Sequence, residues 1–385
     1  MKTSISIWAT ALLHLAASVS AAGVTGKAFG FATGTTGGGS ATPVTPTTND
    51  ELIKYLTGDE PRVILIDRTF DFTLSEGTAT ETGCIPDSNT CGEHGQNALD
   101  GPNWCSSSYP SVEVTYNVAA TDPIYVGSNK SLVGVGSKGV IRGRGLKLTS
   151  VENVIIQNIH ITDLNPQYIW GGDAITLGNT DKIWIDHCKI SLVGRQMIVT
   201  GFDPAGHVTI SHTEFDGITD WSSSCNGDHY WTMLFLGKED YITLADNYVH
   251  DCSGRAPKVG GSGAVTMHAV NNFFWNNLGH DFDVAEGGSV LVENNSFNNV
   301  TTPMTEASST EGGKVFTVVS GGEKCASSLG RNCGANTLVE SGDWPSLGDT
   351  SMLQTIGDAG SVPALISPVT DVAHQVMANA GVGKI

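Results

Sequence analysis

Six stretches of the chain share one alternation of apolar and polar positions. They are VIIQNIHI from Val154, IWIDHCKI from Ile183, VTISHTEF from Val208, ITLADNYV from Ile242, MHAVNNFF from Met267 and VLVENNSF from Val290. Each reads apolar, any, apolar, any, polar, any, any, apolar. The first and third positions point to one face of a strand, and most carry branched side chains. The starts lie 29, 25, 34, 25 and 23 residues apart. Short strands at such intervals predict the coils of a right-handed parallel β-helix, stacked at ~4.8 Å so that like residues form ladders along the axis. A propeller blade needs ~40–45 residues of up-and-down strands and fits these spacings poorly. The fifth position is Asn158, His187, His212, Asp246, Asn271 and Asn294 in turn. It predicts a polar column whose side-chain amides bond one another and the turn backbone.

Two helical patterns flank the repeats. Asn49 can cap a helix through Leu56, with Asp50 and Glu51 in its first turn. A second runs from Asp371 to Ala380 and stops at Gly381, a glycine suited to the position after a helix. Both are expected to cover ends of the solenoid, where bare strand edges invite aggregation. Gly134-Val-Gly136-Ser-Lys-Gly139 fits GxGxxG, yet no helical pattern follows, so these glycines are assigned to the corner of an early coil. The expected class is all-β, a single-domain right-handed parallel β-helix over residues 21–385, with short covering helices and long loops forming a cleft.

Composition narrows the function. The net charge of −19 over 385 residues argues against non-specific nucleic-acid binding. With 15% charged and 39% hydrophobic residues, the chain is expected to fold rather than stay disordered. Lys2, an apolar run from Ile5 to Ala17 and the small residues Ser18 to Ala22 read as a secretory signal peptide over 1–20, cut between 20 and 22. Later stretches fall short of the ~18 apolar residues a membrane span needs. An extracellular protein is therefore expected, with its 8 cysteines as candidate disulfides. Their spacing suits no zinc site. Asn129, Asn294 and Asn299 head glycosylation sequons.

The repeat also sorts the chemically capable side chains. Arg195 lies five residues past Ile190, Arg255 six past Val249, and Trp221 six past Phe215. Two coils of stacking would set Arg195 and Arg255 ~10 Å apart on one flank. Lys258 follows Arg255 closely, and Asp173 could fold back to meet Arg195. A cationic cluster on an acidic protein suits carboxyl groups or developing negative charge on a substrate. Trp104, Trp170, Trp221, Tyr230 and Trp231 fall in predicted loops and would offer stacking platforms for sugar faces.

Several of these elements resemble the fungal pectin lyases of the pectate lyase superfamily. They are Trp170-Gly-Gly-Asp173-Ala-Ile, Ile183-Trp-Ile-Asp-His187, Gly194-Arg195-Gln, Cys225-Asn-Gly-Asp-His-Tyr-Trp231 and Ser253-Gly-Arg255-Ala-Pro-Lys258. The glycine-rich opening from Gly30 is similar too, so the resemblance spans essentially the whole mature chain. It implies a parallel β-helix that cleaves methyl-esterified pectin by β-elimination without calcium or another cofactor, acting as a monomer. By residue, it implies Arg255 as the catalytic arginine, with Asp173, Arg195 and Lys258 as partners in the cleft. Pectate lyases hold calcium with a carboxylate where this chain has Arg195, and carry a second arginine where it has Gly260. The family pattern further implies the disulfides Cys84–Cys105, Cys91–Cys225 and Cys325–Cys333, leaving Cys188 and Cys252 as buried thiols at different repeat offsets.

Arg255 would act as base, or else stay charged and stabilise an enolate while water takes the proton. Competing readings are a calcium-dependent pectate lyase, a polygalacturonase-type hydrolase and a non-catalytic carbohydrate-binding β-helix. Asn179-Thr-Asp181 resembles one hydrolase element, but the companion Asp-Asp, Gly-His-Gly and Arg-Ile-Lys motifs are missing from the sequence.

Overall fold

A computed structural model describes residues 23–320, 322–360 and 362–385. The expected signal peptide lies outside them. Three parallel sheets of nine, nine and eight strands wind around one axis. The repeat segments supply the middle of the first sheet, through Glu152–Gln157, Asp181–Asp186, Gly206–Ser211, Asp240–Ala245, Val265–Val270 and Gly288–Glu293. Their first and third positions, from Val154 and Ile156 to Val290 and Val292, have no solvent exposure. The eighth positions belong to the second sheet and enter the same core, where Phe274 stacks on Phe297 at 4.7 Å. Stacking of coils is what buries this core, because a single coil cannot enclose its own apolar face.

The fifth position bonds the turn backbone as expected at Asn158, whose Nδ2 donates to Gly134 O and Gly136 O at 2.8 and 2.7 Å, and it has a second task. All six residues there, Asn158, His187, His212, Asp246, Asn271 and Asn294, take φ between 46° and 60°. Each is the left-handed residue that turns the chain from the first sheet into the second, which explains the short polar side chains. Amide pairing survives at Asn294, whose Nδ2 donates to Asn271 Oδ1 at 2.7 Å. The continuous ladder sits one place later. Asn247 donates to Asn272, Asn272 to Asn295 and Asn295 to Asn336, at 2.9, 2.9 and 3.0 Å inside the core. Thr213 and Cys188 extend the column toward the N-terminus. Asn294 is thereby excluded as an accessible sequon: it is 3% exposed and its Nδ2 also faces Ile366 O. Asn299 is exposed and Asn129 half-buried.

The helix Asn49–Leu56 forms as expected, except that Thr48 is the cap, its Oγ1 accepting from Glu51 N. Leu52 and Leu56 plug the first coil. The C-terminal helix Val372–Asn379 does not close the other end. It lies against the outside of the second sheet, with Val372 and Val376 packed on Phe273, because that sheet presents an apolar outward patch there. The far end is instead closed by the segment around Trp344 and Leu347, which packs on the core and bonds to Val315 and Thr317. Gly134 to Gly139 turn an early coil, joining Lys130–Gly134 to Val140–Arg142.

The glycine-rich opening crosses the outer face of the first sheet. Phe31 N donates to Thr243 Oγ1 and Ala32 N to Thr209 Oγ1. A side chain on Gly30 would collide with Thr243. The three expected disulfides form, and Cys188 and Cys252 are buried thiols.

Candidate active site

The connections from the second sheet to the third are long and gather the candidate residues on one flank. Arg195 precedes the third-sheet strand Ile198–Thr200, Trp231 precedes Met233–Phe235, and Arg255 precedes Lys258–Val259. These strands are consecutive neighbours, so Arg195 and Arg255 stand two coils apart, as the repeat offsets require. Trp231 projects from the coil between them. The Arg255 guanidinium lies 4.7 Å from the Trp231 ring and 5.7 Å from Tyr230. Arg195 covers Trp170 at 3.5 Å. Gly254 has a steric reason: a Cβ there would run into the Tyr230 ring.

The outward row of the third sheet forms the floor beside these loops. Lys147, Thr176, Val199, Leu234, Lys258 and Asp283 are successive ladder partners. Lys147, Thr176, Trp170, Asp173 and Arg195 also line an open depression of about 270 Å³.

The three cations differ in their partners. Arg195 makes a two-pronged pair with Asp173, Nε to Oδ1 at 2.9 Å and an Nη to Oδ2 at 2.6 Å. Gln196 N also donates to Asp173 Oδ1 at 2.8 Å. Lys258 Nζ lies 2.6 Å from Asp283. Arg255 has no carboxylate partner within 4.0 Å among the described residues, and its buried Nε has no hydrogen bond. Burial pushes its guanidinium below the usual value and the charge of Arg195 adds to this, against the opposing pull of Tyr230 and Asp283.

Two contributors were not among the expected site residues, although one of them, His229, falls inside the Cys225 to Trp231 element. Gln96, 1% exposed, arrives on the insertion that includes the hairpin Thr78–Cys84 and Ser111–Asn117. Its Nε2 donates to Pro166 O and Gly194 O, and its Oε1 accepts from Trp231 Nε1 and Ser223 Oγ. One amide thus links the backbone before Arg195 to the indole beneath Arg255. His229 is the second. Burial pushes it down to about 4, and as the neutral ring its Nε2 donates to Arg195 O at 2.8 Å.

Trp104 packs on the same Cys84, Ala98 and Ile169 cluster as Trp170 and Trp231, so this region gathers four of the five expected aromatics. Trp221 is the exception. It lines a separate depression of about 330 Å³ with Leu74 and Arg142 beside the second sheet, because its loop folds back through Thr219. Gly260 sits at φ 82° with the backbone of the next coil against it, leaving no room for a side chain.

Two clusters elsewhere have metal-ligating side chains. Asp186, His187 and His212 meet at one turn column, and Glu214, Asp216 and His250 on the second sheet. The first has parallel imidazoles, 4.5 Å apart and 10° from coplanar orientation, which cannot both aim a lone pair at one ion between them. In the second, Lys189 Nζ already lies 2.8 Å from both Glu214 and Asp216.

The chain matches the pectate lyase family over residues 106–385. It is 55% identical over 375 residues to a probable pectin lyase F-2 of Aspergillus terreus, covering 96% of this chain and 76% of the relative. It is 52% identical over 385 residues to a probable pectin lyase F-1 of the same species, covering 97% and 98%. Among solved structures, a pectate lyase from Paenibacillus sp. 0602 superposes with a TM-score of 0.58 at 17% identity, over 93% of this chain and 96% of that one. A Bacillus sp. N165 pectate lyase in complex with trigalacturonate gives 0.56 at 20%, over 92% and 98%. At such identities the likeness speaks for the fold, a parallel β-helix, whereas the fungal relatives speak for descent. The chain belongs to the pectate lyase family.

Proposed function

We propose that this protein is a secreted pectin lyase that cleaves (1→4)-linked galacturonan methyl ester internally, by β-elimination and without calcium. The observation that carries this reading is the half-buried guanidinium of Arg255, which lacks a carboxylate partner among the described residues, beside two cations that each hold one.

In a galacturonate methyl ester the C5 hydrogen is acidified by the adjacent ester carbonyl. Its removal builds enolate charge on that carbonyl. The electron pair then forms the C4–C5 double bond as the C4–O bond breaks, and the departing oxygen takes a proton from water. Arg255 is the proposed acceptor of the C5 proton, since it lacks the carboxylate that would hold it charged. Arg195 and Lys258 supply fixed positive charge for the enolate, in orientations set beforehand by Asp173 and Asp283. Trp170, Tyr230, Trp231 and Trp104 are the proposed platforms for the sugar rings.

Calcium independence is supported by the donor set. Both oxygens of Asp173 are engaged by Arg195, so a divalent cation there would face a guanidinium. Export is supported by the three disulfides, and none of the described helices is long and apolar enough to cross a membrane. One chain supplies every group invoked, which favours a monomer.

The test is turnover of highly methylated pectin and of polygalacturonate, each with a chelator present. The expected result is ultraviolet absorbance from the new conjugated double bond on the esterified substrate. New reducing ends without that absorbance, or activity only on polygalacturonate with calcium restored, would overturn the proposal.

A further inference from the structure

Arg255 adopts φ 49°, in the left-handed region that long side chains seldom occupy. Something outside the residue must hold it there. Its carbonyl accepts from Met233 N, on the preceding coil. Its amide N–H donates forward to Nε2 of His280, at 3.2 Å. An amide can only donate, so Nε2 must present a lone pair, and the His280 proton resides on Nδ1. The ring is steadied by Tyr230, edge-on at 5.7 Å, and Tyr230 in turn meets Trp231 edge-on at 4.8 Å.

We infer that His280 is a positioning residue, which holds Arg255 in its reactive conformation only while its ring is neutral and so sets the acid limit of the reaction. The inference deepens the pectin lyase reading and rests on Arg255 being the reacting guanidinium. Protonation would put a hydrogen on Nε2, strip the Arg255 amide of its acceptor and add a further positive charge beside Arg195, Arg255 and Lys258.

The surroundings keep the ring neutral into mild acid. The ionisable groups facing it are Arg255 and Lys258 from the preceding coil, Tyr230 from the coil before that, and Asp283 from its own strand, while the following coil offers Thr302 as its ladder partner. Burial lowers its proton affinity, Lys258 and Arg255 add to this, and Asp283 opposes them.

The experiment compares kcat and KM across pH for the wild type, His280→Gln and His280→Leu. Glutamine places a carbonyl oxygen near the position of Nε2 and does not titrate. His280→Leu should lower kcat about tenfold or more while KM changes less than about threefold, the pattern of a lost orienting bond. The wild type should lose turnover in acid, and His280→Gln should recover most of the plateau kcat without that downturn. A Gln variant following the wild-type acid limb, or a Leu variant with full turnover, would overturn the inference. Should the Leu variant fail to fold, the Gln profile decides alone. The product spectrum is read in parallel, so failure of the elimination reading is seen separately from failure of the His280 assignment.

Discussion

Arg255 stands apart from its neighbours by lacking a carboxylate. Arg255→Ala should therefore cut kcat by roughly 10²–10⁴-fold, the usual worth of a positioned proton acceptor. Its melting temperature should stay near that of the wild type, since no ion pair is lost. Product absorbance and thermal unfolding check the two halves of that expectation. Gln96 makes the complementary case of a buried residue that orders groups proposed to meet the substrate. Gln96→Ala takes the donor from Pro166 O and Gly194 O and the acceptor from Ser223 Oγ, and leaves Trp231 Nε1 with Ser223 Oγ alone. A stability loss of about 1–3 kcal/mol is expected, with a shifted tryptophan emission and reduced kcat. Arg195, Asp173, Lys258 and Arg255 could be found from the sequence, because their motifs and repeat offsets are local. Gln96 and His280 could not, since a lone amide and a lone imidazole have no spacing that marks them.

At the scale of the element, each coil is held by what it shares with the next. Asn272 accepts from Asn247 and donates to Asn295 inside the core. Asn272→Ala would take the acceptor from Asn247 N and Nδ2 and the donor from Leu244 O, so a loss of roughly 2–4 kcal/mol is expected in denaturant unfolding. The turn column carries a pH signature of opposite sign. Burial raises Asp246 from 3.8 to about 6, and His212 offsets only part of this. A carboxyl with a raised folded value gives stability below its unfolded value, lost as pH climbs through the folded one. Asp246→Asn should thus stabilise the protein by about 1–3 kcal/mol at pH 7 and by almost nothing near pH 4. Asparagine already serves in this left-handed position at 158, 271 and 294, so the backbone should tolerate it. Melting curves at the two pH values measure the difference. The sequence pointed to this polar column and to its side-chain bonds but not to its turning of the chain, since alternation carries no sign of a left-handed backbone.

Over the whole molecule, the solenoid supplies rigid spacing and the inserted loops supply the chemistry. Cys91–Cys225 joins the insertion carrying Gln96 to the loop carrying Tyr230 and Trp231, across a sequence separation of 134. Replacing both cysteines by serine should cost at most a few kcal/mol. Turnover should fall more steeply than stability, because the loss falls on the loop pair rather than on the stacked coils. Activity and unfolding of the same double variant test that order. The C-terminal helix offers a parallel lesson: its pattern showed an amphipathic helix but not its partner, and it covers the second sheet instead of the solenoid's end.

The sequence by itself determined the coil, since burial on both inward rows fixes the alternation and the need to stack fixes the repeat. It also pointed to which cations share a flank, because near-equal offsets fall on one side of a solenoid unless a loop diverts them, as the loop of Trp221 does. Only the tertiary structure decided which of those cations lacks a carboxylate, which distant amide orders the loops and which imidazole holds Arg255. Those outcomes depend on contacts between segments far apart in the chain, where loop paths and packing rather than periodicity choose the partners.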